Sequence, residues 1–351
     1  MSWSEFTKNH IKLLKKYKYN LDENNSLLLQ IKNERDRVKN FINKYSNLEY
    51  KLTKVTDEKE LKSITDKIHL YADVSWVDKK EVINQLDFLT DTLIISWESV
   101  NETKSNKNNN LNKLIVKINK SKIKSFIENL KILILMIEYL KNKSNNEIKI
   151  MEIYLVLTNL TKEFPKGETI GIKNANTGYT DFLKNIIFIW RWEEYIKVLF
   201  HEITHYLDMD SRDDHVHSII HSYGPHSYFE AITDFKGINY NLIYLSLITR
   251  KPIKLLLELE LGFIRNQAMI LNKYFDLGNT WQDYVDKQIK QNTPAFSYYI
   301  LKYLIYSHAL ENKILDPIDY NSLVHQVINK GFQFKPYVNI KSSSMTMLQL
   351  E

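Results

Sequence analysis

The sequence predicts an α+β protein that is mainly helical: an all-α region over 1–146, then a region over 147–351 with a small sheet and further helices. Three observations carry this expectation. All 8 Gly and all 6 Pro lie at or after Pro165, and a long stretch free of the two strongest breakers reads as helix. Apolar, β-branched runs first stand out at 148–157 (IKIMEIYLVL) and 186–191 (IIFIWR), the composition of buried strands. Helical periodicity then resumes near Trp192 and again from Phe229. A chain of 351 residues is also long for one domain, so two are expected.

Taken in order, helices are predicted over 4–18, 25–54, 57–71, 77–105 and 111–143. Val82, Ile83, Leu86, Leu89, Leu93 and Ile94 form an apolar set at helical spacing. Polar breaks fall at 106–110 and 144–146. Beyond the 148–157 strand, the segments 169–173 and 176–180 are short and extended in character. The 186–191 strand leads into a helix that begins near Trp192. The chain reads helical again from Phe229, with loops at Gly278, Pro294 and Pro317. This gives a helical domain over 1–146 and a second domain over 147–351. The latter divides into a sheet with its helix (147–210) and a helical subdomain (227–351).

Composition excludes several classes. There is no Cys, so a disulfide framework, an iron–sulfur cluster, a cysteine nucleophile and a thiolate zinc site are ruled out. Any metal must be held by His, Asp or Glu. No apolar run approaches the roughly 20 residues that span a bilayer, and the first ten residues, MSWSEFTKNH, lack an apolar signal core. An intracellular, cytoplasmic protein without a membrane segment is expected. Residues 1–164 hold 29 Lys+Arg against 22 Asp+Glu. Within 104–124, Lys104, Lys107, Lys113, Lys117, Lys120, Lys122 and Lys124 occur without an acid. This is either a docking surface for an acidic partner or a solvated helix face. The run contains no Arg, the usual reader of phosphates and bases, which argues against nucleic acid.

The chemistry concentrates in His201-Glu202-Ile203-Thr204-His205. Residues four apart share a helix face, so both imidazoles can reach one ion. Glu202 sits one residue round, placed to act on a metal-bound water as general base without ligating the metal. One Zn²⁺ per chain suits two neutral imidazoles plus a carboxylate. Tyr195, Ile196, Leu199, Phe200, Ile203 and Leu207 cover most of the helix circumference. Two His and a Glu inside a buried helix need partners, which a metal supplies. Downstream, Glu230 and Asp234 share a helix face. Glu230 would complete the ligand set, and Asp234 could fix the tautomer of a ligand His. Ser227-x-x-Glu230 is also a capping box, so Glu230 has a local alternative.

HEITH followed by EAITD resembles the gluzincins, the thermolysin-like HExxH zinc metallopeptidases. The resemblance spans about 148–240 and leaves the helical region before it unassigned. It implies a zincin-like catalytic domain, zinc on His201, His205 and Glu230, Glu202 as general base, and Asp234 supporting a ligand His. It also implies that Asn174-Ala175, on an edge strand, binds substrate backbone. His226 is the best placed of the remaining histidines (His215, His217, His221) to act on a carbonyl. Tyr298, beside Tyr299, is a candidate for stabilising an oxyanion. The expected activity is hydrolysis of a polypeptide substrate. The rival readings are a catalytically silent binding or structural protein working through its N-terminal helices, and a zinc hydrolase acting on a non-peptide amide or ester.

Overall fold

A computed structural model describes residues 19–100, 111–144, 151–162, 169–210, 228–278, 283, 287 and 290–311. Its elements are α1 (Ser26–Lys44), β1 (Tyr50–Lys54), α2 (Glu58–Tyr71), α3 (Lys79–Gln85), β2 (Asp91–Trp97) and β3 (Asn112–Ile118). Next come α4 (Ile123–Glu128), α5 (Leu130–Lys143), β4 (Glu152–Thr158), α6 (Ile172–Ala175), β5 (Gly178–Asp181) and β6 (Ile186–Arg191). The last part holds α7 (Tyr195–Tyr206), α8 (Tyr228–Thr249), α9 (Ile253–Tyr274), a π-helical turn (Phe296–Leu301) and α10 (Lys302–Glu311). The fold class is α+β with a six-stranded mixed sheet. No helix among the described residues is long and apolar enough to cross a membrane.

The all-α expectation for 1–146 is overturned. Three of the six strands lie there, and the sheet order is β1-β2-β3-β4-β6-β5. β1, β2 and β3 pair antiparallel. β3, β4 and β6 run parallel. β5 closes the far edge antiparallel to β6. The segments expected as helix over 77–105 and 111–143 therefore break. The first becomes α3, a 3₁₀ turn and β2; the second becomes β3, a 3₁₀ turn, α4 and α5. DTLIISW and NKLIVKI are rich in β-branched residues, which suit a pleated, half-buried surface. Freedom from Gly and Pro favours strands as much as helices. The α2 expectation over 57–71 matches, with Asp57 accepting a hydrogen bond from Glu60 N–H at the N-terminus.

Contacts divide the chain into one unit of 36–161 with 176–209 and another of 1–35, 162–175 and 210–351. This is not the expected boundary at 146/147, because Lys113–Lys117 of β3 pairs directly with Glu152–Val156 of β4. In the sheet unit, alternate residues of each strand serve opposite faces. One face carries Ile115, Tyr154, Val156, Phe188 and Trp190, covered by Ile64 and Ile68 of α2 and Val82 of α3. On the other side α7 packs against β5 and β6 and touches α5. β6 is buried along its whole length, as expected for a strand covered on both faces. In the second unit, α8, α9, the π-helical turn and α10 pack on one another.

The described lysines of the run do not share one helix, and of them only Lys124 lies within an α-helix, α4. Lys113 and Lys117 sit on β3, and Lys120 and Lys122 form a 3₁₀ turn. Lys122 Nζ donates to Asn159 Oδ1 at 2.6 Å and lies 4.7 Å over the Trp192 ring. Burial lowers the pKa of both Lys117 and Lys122. Lys104 and Lys107 lie outside the described residues.

Candidate metal centre

α7 is an unbroken run, YIKVLFHEITHY, buried from Lys197 to His205. Its burial explains its composition: nearly every turn must present apolar atoms to neighbours. His201 and His205, one turn apart, are 5% and 8% exposed. Their Nε2 atoms approach to 3.1 Å, with the rings edge to face. Two ligands on a tetrahedral ion at about 2.05 Å would stand roughly 3.3 Å apart. The imidazole pair is therefore spaced as the edge of such a site. Glu230 lies in the first turn of α8 and is half-buried. Two soft-borderline nitrogens and one carboxylate oxygen are a donor set suited to Zn²⁺, so the residues present fit that ion.

Glu202 points to the sheet edge. Thr180 on β5 shares its hydroxyl proton between Glu202 Oε2 at 2.9 Å and the Glu202 carbonyl at 3.0 Å. Gly178 and Thr180 share one face of β5. A Cβ at Gly178 would stand 2.8 Å from Val198 Cγ1 and 3.2 Å from Glu202 Cγ. Glycine is thus what lets the edge strand approach α7 closely enough for the Thr180–Glu202 bond. The opposite β5 face carries Tyr179, whose hydroxyl donates to the Tyr71 carbonyl at 2.8 Å. Burial pushes that phenol well above its ordinary pKa. Burial also acts to raise Asp181. The Lys184 ammonium at 3.0 Å, with the N–H groups of Lys184 and Leu183, outweighs it and holds the carboxyl below its usual range.

Other expected site residues are placed differently. Asn174 and Ala175 are not on an edge strand; they end the short helix α6, where Asn174 Oδ1 accepts from Gly171 N–H at 3.0 Å. An asparagine side chain bonded back to its own turn favours that local helix over an extended strand. The edge strand is β5, which begins at Gly178. Tyr298 donates its hydroxyl to Glu230 Oε2 at 3.1 Å. Asp234 Oδ2 is bound by Lys302 Nζ at 2.6 Å. His215, His217, His221, His226 and Ser227 lie outside the described residues.

Sequence reasoning missed Thr180 and Lys302. Thr180 carries no motif. Lys302 left a readable trace, being the one cation in the apolar run FSYYILKYLIYSHAL and four residues from Tyr298, the same step that separates Glu230 from Asp234. No protein-family model matches this chain, and comparisons with curated proteins and with solved structures find no match either.

Proposed function

We propose that the protein is a zinc-dependent hydrolase, most readily a metallopeptidase, with His201, His205 and Glu230 as ligands and Glu202 as general base. The observation that carries this reading is the pair of buried imidazoles one turn apart on α7, their Nε2 atoms 3.1 Å from each other, with the neighbouring Glu202 carboxylate held by Thr180. Bound zinc would supply a Lewis acid that polarises a carbonyl and makes water more acidic. Glu202 accepts the water proton on a carboxylate oxygen and returns it to the leaving amine. Thr180 orients that carboxylate. β5 ends the sheet, so its outer backbone groups can take an extended polypeptide as an added strand. The backbone-binding role that the resemblance gave to Asn174-Ala175 passes to this strand.

The test is metal analysis of the purified chain, together with digestion of a proteome-derived peptide library by wild type and Glu202→Gln. The expected result is one zinc in both proteins, cleavage by wild type, and a loss of about 10²–10⁴-fold in the variant. Wild-type turnover by Glu202→Gln would remove Glu202 as the base. Metal binding without cleavage by either protein would favour a non-peptide substrate or a silent scaffold.

A further inference from the structure

Tyr298, Lys302 and Tyr306, in the segment that follows α9, each bond to α8. Tyr298 Oη donates to Glu230 Oε2 at 3.1 Å, and Lys302 Nζ to Asp234 Oδ2 at 2.6 Å. Tyr306 Oη is shared between Asn239 Oδ1 at 2.9 Å and the Phe235 carbonyl at 3.3 Å. The contacts advance in the same direction along both segments, which therefore run parallel. Tyr298, Lys302 and Tyr306 are spaced by four, and so are Glu230 and Asp234. The result is a ladder of rungs one helical turn apart.

Two features set this ladder apart from ordinary helix packing. The Lys302–Asp234 pair is 0% and 1% exposed. Such a pair costs desolvation that apolar residues of similar volume would avoid. The first rung also lies in a π-helical turn, Phe296–Leu301, closed by a backbone bond from Lys302 N–H to Ser297 O. Inserting one residue into a helix changes the face that later residues present, and such turns recur at functional sites. Here the turn holds both Tyr298 and, at its end, Lys302 against α8.

We infer that Tyr298 and Lys302 are positioning residues for the metal centre: the tyrosine fixes the Glu230 carboxylate, and the buried ion pair locks the next turn of α8 so that Glu230 cannot rotate away. This rests on the proposed ligand set and deepens it. A carboxylate on the half-buried first turn of a helix would otherwise sample several rotamers. Holding one oxygen by a phenol leaves the other oriented as a ligand, the usual way an outer partner tunes a metal site.

The experiment is Co²⁺ titration of the full-length apo-protein, read by visible absorption, with Zn²⁺ affinity taken from chelator competition and apo stability from thermal unfolding. Wild type is compared with Tyr298→Phe, Lys302→Met, Lys302→Arg and His201→Ala. Tyr298→Phe keeps the ring and is expected to leave the apo melting temperature unchanged. It should weaken metal affinity by about 10–100-fold and alter the Co²⁺ spectrum. Lys302→Met is expected to weaken binding similarly, and Lys302→Arg to restore most of it. If Lys302→Met fails to fold, Tyr298→Phe decides the question. Wild-type affinity and spectrum in Tyr298→Phe, with His201→Ala losing the metal, would overturn the positioning role and leave the ligand set standing. Wild type that binds no metal would overturn both.

Discussion

In the sheet unit, the buried carboxylate of Glu138 is shared among many donors: Trp97 Nε1 at 2.9 Å, Ser99 Oγ at 2.7 Å, Val100 N–H at 3.1 Å and Asn112 Nδ2 at 3.4 Å. Lys141, one turn along the same helix α5, stands 3.5 Å away and donates to Asn112 Oδ1 at 2.8 Å. In the helical unit, buried Asp234 receives a lysine from a different helix, one rung from Glu230. Both pairs are almost wholly buried. The first ties the end of β2 and the start of β3 to α5 through an indole, a hydroxyl, a backbone N–H and an amide. The second adjoins a candidate ligand. A buried ion pair marks a position where the fold tolerates an expensive arrangement; only its neighbours say whether the return is structural or functional.

The comparison breaks most readily at Glu138. Glu138→Ala leaves Lys141 charged and buried without that carboxylate, so about 3–5 kcal/mol of stability should be lost. Urea unfolding measures this, and the metal affinity of the remaining folded protein should equal wild type. A weakened metal site in that variant would erase the distinction between the two pairs.

The helical pair is sharpened by replacing both partners. Asp234→Leu with Lys302→Met should cost no more than about 2 kcal/mol, since apolar groups of similar volume can substitute for a buried pair. Its metal affinity should nevertheless fall. Stability and affinity that fell in proportion would make the second pair structural like the first.

Gly178 tests the edge strand that serves Glu202. Gly178→Ala forces Val198 or Glu202 to move, at a cost of about 1–2 kcal/mol from overpacking. Hydrolysis at saturating substrate should fall by more than the unfolded fraction accounts for, with zinc still bound. An unchanged turnover would show that Glu202 does not depend on the close approach of β5.

The smallest effect belongs to the pair of an exposed lysine, Lys54, with the buried Asp91, whose carboxylate keeps a second donor in the Thr90 hydroxyl. The Lys54 ammonium, against the opposing effect of burial, holds the Asp91 carboxyl below its ordinary value. A carboxyl depressed in the folded state contributes stability above its unfolded pKa of about 3.9. That contribution is lost as pH falls through the lower folded value. Lys54→Met should therefore cost under about 1 kcal/mol at neutral pH, and the difference from wild type should vanish in acid. A difference that persisted there would assign the effect to the lysine stem and not to the charge.

The local elements were legible where one segment contains its own reason for folding. The β6 strand IIFIWR, the buried helix around HEITH and the capped helix α2 follow from composition, periodicity and an N-terminal Asp. The ligand candidates were legible too, because a four-residue spacing becomes a shared face in any helix. β1, β2 and β3 were not. In β3, NKLIVKI, the two lysines stand four apart, a spacing that also suits one face of a helix, and the choice is made by pairing with β2 and β4, which no local window contains.

Sequence alone thus determined that His201, His205, Glu202, Glu230 and Asp234 have the types and spacings of a metal site. Tertiary structure decided which partner each receives: Thr180 for Glu202, Tyr298 for Glu230 and Lys302 for Asp234. Those bonds join residues 22 and 68 positions apart. Side-chain hydrogen bonds act over about 3 Å, so the first exists only once β5 has closed on α7, and the other two only once the segment after α9 has packed on α8, through burial of their apolar faces.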